Sequence, residues 1–455
     1  MGDRKDLTSG SVWKKLTLFA LPIVAMNLLQ AIYSIVDMII VGQFVGSVGM
    51  SAVSVGGQIT TLVLVTCSGI ANGCAVYVGN LSGLKRYREM KGYVGSLLSF
   101  LLIMAVCFTA LIIAVCTPLL IALNTPAESF DDTRTYLIIS MLGTVFVYGY
   151  GLLSAALRGI GESVKPLVYV VITTIENIIL DLLFVAVLDM GAVGAAVATV
   201  ISQATSCALV AIYVRRHTPL FDFKLSSFRI DRIKLSAQLS VGVPQAVQYV
   251  CTNISFLFIS SLINSFGIAA SAAAGAANKL SSFGTMPGIA CMTAIVTLTA
   301  QNHPRKDFKR ILRGMTCGLV LSLSVSVIFV LLCQIVPETM YRLFTSDTSV
   351  LDVGISYLKY FSLCFIGETT MFCLFGVITG SGYTRATMFS GIISSFAVRY
   401  LLSYALCHYT ALGFDGIALG FVFSSFVGIG VSLFFFITGK WKKSRLYDDD
   451  PDYGI

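Results

Sequence analysis

Residues from about 221 onward restate residues 1–220 at an almost constant displacement. Pro22 is matched by Pro244 at 222 positions, and Gly46 by Gly267 and Tyr87 by Phe308 at 221. The loop Arg158-Gly-Ile-Gly-Glu162 is matched by Thr379-Gly-Ser-Gly-Tyr383 at 221, and Gly191 and Gly194 by Gly413 and Gly416 at 222. Both copies are strings of apolar segments long enough to cross a bilayer. Such a chain folds as two homologous helical bundles, and duplicated membrane bundles place a solute pathway near the seam of the repeats.

Only 12% of the residues are charged and 56% are hydrophobic, against about 25% charged in a soluble protein. Apolar runs fall near 16–41, 51–79, 93–121, 135–157, 166–188, 192–214, 238–264, 271–300, 315–336, 354–378, 387–408 and 416–438. The expected fold is therefore all-α and integral to the membrane, with twelve transmembrane helices. Six spans per copy is an even number, so the repeats are parallel, related by a pseudo-twofold axis along the membrane normal. The expected domains are an N-lobe at 1–214, a cytoplasmic linker at 215–236, a C-lobe at 237–440 and an acidic cytoplasmic tail at 441–455. The twelve cysteines are scattered singly, and His217, His303 and His408 are too far apart in sequence for a metal cluster. That pattern fits small apolar helix residues, with no metal or cofactor.

The net charge of +8 has a simple source: 26 of the 31 Lys and Arg fall at the chain ends, in the linker and in every second loop. The opposite loops are short or acidic (Glu128, Asp131, Asp132; Glu338, Asp347, Asp352). The positive-inside rule puts both termini and the linker in the cytoplasm. The basic excess is a topology signal and implies no nucleic-acid partner. The partners expected are the lipid bilayer of the plasma membrane and a small-molecule substrate, with the protein acting as a monomer.

Polar residues inside the spans are the candidate functional groups. Span 1 carries Asn27, Gln30, Ser34 and Asp37 on one face, and span 7 carries Gln245, Gln248, Thr252 and Ser255 at the same spacing. Neither stripe faces acyl chains cheaply, so both are expected to line a wet cavity. Asp37 sits deep in its span, where the bilayer disfavours a bare charge; it should hold a proton or be neutralised by a cation. Span 5 reads Thr173-Thr-Ile-Glu-Asn-Ile-Ile-Leu-Asp181, which places Asn177 and Asp181 on one face, with Glu176 beside them; span 6 adds Thr199. Two carboxylates, an amide oxygen and a hydroxyl are hard oxygen donors that suit Na+ or H+. The second half lacks these acids: the mates of Asn177 and Asp181 fall near Val398–Arg399 and Leu402–Ser403. Glu368 and Arg399 are expected to take part in the substrate cavity, although Arg399 can equally pair with an acid. Pro22 and Pro244 free a backbone carbonyl and permit a bend, which makes Pro22 a candidate hinge.

These motifs, taken in order, resemble one family. Span 1 reads L-P-I-V-A-M-N-L-L-Q-A-I-Y-S-I-V-D-M-I-I-V-G, the loop after span 4 reads L-R-G-I-G, and spans 5–6 read E-N-I-I-L-D … G-A-V-G-A-A-V-A-T-V-I-S-Q. With A-Q-N after span 8, the chain over residues 12–440 is similar to the multidrug and toxic compound extrusion (MATE) family of prokaryotic type. The resemblance implies an antiporter that exchanges H+ or Na+ for amphipathic, often cationic compounds. It implies a coupling site at Asp37, Asn177, Asp181 and Thr199. Span 7 carries Gln245, Gln248 and Thr252 where some Na+-coupled relatives carry an acid, so the resemblance does not extend to a second-lobe cation site; Glu368 is the nearest substitute. A lipid-linked sugar flippase of the same superfamily is the alternative, with Lys279 and Arg399 as its only basic groups for a pyrophosphate. An enzyme is not expected, because no nucleophile–base pair or metal triad is spaced for one.

Overall fold

A computed structural model describes residues 6–123, 125–345 and 347–443. Nearly all of the expected acidic tail lies outside the described residues. Helices run in the order α1 (Val12–Phe44), α2 (Gly46–Gly83), α3 (Tyr87–Ala122), α4 (Phe130–Leu142), α5 (Thr144–Gly159), α6 (Val164–Asp181), α7 (Gly191–His217) and α8 (Arg232–Asn264). The second half continues with α9 (Ile268–Asn302), α10 (Phe308–Ile335), α11 (Pro337–Arg342), α12 (Thr348–Ser362), α13 (Cys364–Gly380), α14 (Thr384–Ile392), α15 (Leu401–Tyr409) and α16 (Asp415–Ile437). No strand occurs among the described residues. Eleven helical runs are long and apolar enough to cross a membrane, and the bent pair Ala127–Leu142 and Thr144–Gly159 makes a twelfth. The sequence marks one span there, at 135–157, and the pair that forms it bends by 44°. Gly143 sits at the break, where a Cβ would collide with Val200 and Gln203 of α7.

The duplication is written in the backbone. Left-handed conformations occur at Gly46 and Gly267 (φ 79° and 96°), Lys85 and Lys306 (60° and 57°), Gly161 and Gly382 (86° and 81°), and Gly191 and Gly413 (59° and 51°). Every pair is separated by 221 or 222 residues. Side-chain packing repeats as well. In the first half Ile40, Val41, Ala52, Val53, Tyr136, Ala192, Ala195 and Ala196 form one buried cluster. In the second, Leu262, Ile263, Ala273, Ala274, Tyr357, Phe414, Ile417 and Ala418 do the same. Apolar residues at matched positions thus build matched cores.

Two compact units result: Ala25–Gly242, and the described parts of Met1–Val24 with Val243–Ile455. Compactness divides the chain inside α1 and α8, within three residues of Pro22 and Pro244, and not in the 215–236 linker. The linker packs with the first unit, where Lys91 pairs with Asp222 and Asp231 N donates to Ser96 Oγ at 3.0 Å. In the second unit, Leu7 N donates to Gln301 Oε1 at 2.9 Å, and Arg310 donates to the carbonyls of Leu7, Ser9 and Gly10. In each unit, then, the segment leading into a repeat's first helix is docked by hydrogen bonds.

Candidate functional site

Three polar stripes meet within the first unit, each written in its helix at steps of three or four. On α6, Thr173, Asn177 and Asp181 succeed one another every fourth residue, and all are buried. On α1 the stripe is Gln30, Tyr33, Ser34 and Asp37; on α7 it is Thr199, Ser202, Gln203 and Ser206. A cavity of about 440 Å³ opens among them, lined by Gln30, Tyr33, Ser34, Thr173, Asn177, Thr199, Ser202, Gln203 and Ser206 and closed by apolar groups such as Leu64, Val147 and Val170. Tyr33 Oη lies 3.3 Å from Thr199 Oγ1, and Ser206 Oγ donates to Thr173 Oγ1 at 2.8 Å.

Asp37 lies one helical turn beyond Tyr33, and Asp181 one turn beyond Asn177. Their carboxyl groups approach within hydrogen-bonding reach of each other. Asp181 ends α6, where the chain passes into a π-helical turn, Leu182–Val187; such turns recur at functional sites. Buried and without a hydrogen-bond partner are Asp37 Oδ1, both Asp181 oxygens, both polar atoms of the Asn177 amide, Ser202 Oγ and Gln203 Oε1. Buried polar atoms are nearly always paired. A cluster of buried oxygens dominated by acceptors is chemically suited to a shared proton or a hard cation.

Of the residues singled out from the sequence, Gln30, Ser34, Asn177 and Thr199 line the cavity, and Asp37 and Asp181 lie beside each other one turn farther along α1 and α6. Asn27 is half-buried and not among the lining residues. Glu176 stands behind the wall, its Oε1 accepting from Thr205 Oγ1 at 2.8 Å.

In the second half the polar residues singled out from the sequence are engaged with neighbouring segments. The α8 stripe bonds helix to helix. Gln245 Nε2 donates to Thr379 Oγ1 at 2.9 Å, Gln248 is buried against Gly391, and Ser255 Oγ donates to Ser395 O at 2.6 Å. Glu368 and Arg399 are taken by each other, in an ion pair at 3.2 Å with side chains only 14% and 5% exposed. Tyr33, Ser202, Gln203 and Ser206 were missed by sequence reasoning. The available signal was spacing: Tyr33 is one turn before Asp37, and Ser202, Gln203 and Ser206 continue the face begun by Thr199.

The MatE family model matches the chain twice, over residues 22–183 and 244–405, two windows displaced by 222 residues. The chain belongs to the MatE family. It is a multi-pass membrane transporter of small molecules, not an enzyme. Over 448 residues the chain is 27% identical to the probable multidrug resistance protein YpnP of Bacillus subtilis, covering 98% of this chain and 99% of that one. It is 24% identical to the multidrug export protein MepA of Staphylococcus aureus, covering 85% and 86%. A crystal structure of MATE in the straight conformation has the same fold, with a TM-score of 0.90 at 20% identity over 98% of this chain and 100% of that one.

Proposed function

We propose that the protein is a secondary antiporter that exports amphipathic, cationic compounds in exchange for H+ or Na+. The observation that carries this reading is the Asp37–Asp181 pair, two neighbouring carboxyl groups with buried oxygens that no protein donor reaches. A proton shared between the carboxyls relieves their repulsion. A sodium ion does the same, with the Asn177 amide oxygen and the Thr199 hydroxyl as further hard donors. Neither needs a resident cofactor.

The cavity beside this pair supplies the other half of the exchange. Its volume of about 440 Å³ lies within the range for drug-sized ligands, roughly 300–1,000 Å³. Its walls mix apolar faces with a few hydroxyl and amide groups, which favours shape-tolerant binding. An ion that neutralises Asp37 and Asp181 removes the charge that attracts a cationic compound, so ion and compound exclude one another and their fluxes are coupled. Relatives named as multidrug resistance and multidrug export proteins agree with this reading. The distribution of Lys and Arg supports cytoplasmic termini. A flippase is disfavoured because the Arg399 guanidinium is already paired with Glu368.

Efflux of a cationic dye from cells expressing D37N or D181N tests the proposal. Both variants should fall to the background of cells without the transporter; wild-type efflux by both would remove the coupling role.

A further inference from the structure

The duplication allows the candidate ion site to be traced into the other half, residue by residue. Displaced by 222, Asp37 becomes Ile259, Asp181 becomes Ser403 and Thr199 becomes Phe421, while the mate of Asn177 falls at Val398–Arg399. Ile259 and Phe421 belong to the second unit's apolar core, and Ser403 Oγ donates to Ile417 O at 3.3 Å. Arg399 departs from this apolar pattern. It lies on a π-helical segment, Ile393–Tyr400, and is 4% exposed. Its guanidinium carbon is 5.0 Å from the centre of the Phe256 ring and 4.7 Å from that of Phe421. Nη2 donates to Glu368 Oε1 at 3.2 Å, Nε donates to Ser424 Oγ at 3.4 Å, and Nη1 is buried without a partner.

A carboxylate, a hydroxyl and two aromatic faces around one point form a receptor for a cation. Here the occupant is covalently part of the chain. Arginine stays protonated in proteins, so this cation neither titrates nor leaves. We infer that Arg399 is a tethered counter-cation filling a latent monovalent-cation site built on Glu368, so that the second half balances its charge internally and takes no part in ion exchange. The inference rests on the proposed first-half coupling site as the repeat template. It also makes a claim of its own: the second half has a site for a free cation only when Arg399 is removed.

The test uses purified full-length protein in the D37N/D181N background, which silences the first-half carboxyls. Melting temperature is followed from 1 to 100 mM NaCl at constant ionic strength, with choline as the balancing cation. With Arg399 present, no Na+-specific shift is expected. In D37N/D181N/R399Q, a Na+-specific rise of several degrees is expected, and adding E368Q should abolish it. A Na+-specific shift that needs Glu368 while Arg399 is intact would overturn the inference, as would a folded R399Q protein with no Na+ response.

Because R399Q leaves a buried carboxylate and can prevent folding, a second measurement uses E368Q/R399M with Asp37 and Asp181 intact. Its cation-to-compound stoichiometry in proteoliposomes should equal that of wild type; one fewer cation per cycle would overturn the inference. Absence of any cation coupling in wild type would sink the first-half reading alone, since the melting titration is made without those carboxyls.

Discussion

Asp37, Asn177, Asp181 and Thr199 in the first half occupy the repeat positions held by Ile259, Arg399, Ser403 and Phe421 in the second, to within one residue at Arg399. One template has produced two opposite solutions to charge in a membrane. The first half leaves buried acceptors without partners beside a cavity. The second brings its acid and its base together and walls them with phenylalanine. Unpartnered charge is expensive in such surroundings and persists where it does something; partnered charge holds a structure in register. On the proposed reading, one copy carries the exchange and the other serves as scaffold.

The comparison makes its largest prediction on transport. D37N or D181N should lower dye efflux at least about tenfold, a loss of roughly 1.4 kcal/mol or more of coupling, whereas E368Q/R399M should stay within about twofold of wild type. A large loss in the paired second-half variant would break the contrast.

Stability should respond in the reverse sense. R399M alone strands a buried carboxylate and should destabilise the protein by about 3–5 kcal/mol, while E368Q/R399M should recover most of that loss. D37N, which removes one of two facing carboxyls, should melt at or above the wild-type temperature. Thermal unfolding in detergent reads both; a large destabilisation by D37N would show that Asp37 is structural.

The two polar stripes, alike in sequence, should separate on a smaller scale. Q245A breaks a buried hydrogen bond and should cost about 1 kcal/mol of stability, with no change in the concentration of dye that half-saturates efflux. Q30A, on the cavity wall, should shift that half-saturating concentration and leave melting unchanged.

The smallest effect concerns the linker. Hydrogen bonds from Lys91 and Ser227 hold the Asp222 carboxyl below the ordinary carboxylate range. A depressed folded value stabilises above the unfolded pKa of about 3.9 and loses that contribution as pH falls through the folded value. D222N should therefore melt below wild type at pH 7, and the gap should narrow steadily as the pH falls below about 4. A gap that widens in acid would contradict the assignment.

Much of this was legible before any coordinates. Displacements of 221 and 222 gave the two bundles, hydropathy gave the spans, helical spacing put Asn177 and Asp181 on one face, and the family resemblance joined them to Asp37 and Thr199. These signals are local or periodic, and the bilayer enforces them. What escaped were facts of partnership. Gln30 and Gln245 sit in stripes of the same spacing, and only the neighbouring helix decides that one meets open space and the other Thr379. Glu368 and Arg399 are 31 positions apart, so their pairing depends on how α13 and the π-helical segment after α14 both pack against α16. The bend at Gly143 and the change of unit near Pro22 and Pro244 arise likewise from packing, to which hydropathy is blind.

Transport of a cationic dye by purified protein in proteoliposomes, under an imposed pH gradient and separately under an imposed Na+ gradient, probes the first-half site most directly. Dye movement by wild type should follow one of the two gradients, and D37N/D181N should follow neither. Gradient-driven transport of equal size in D37N/D181N would contradict the account.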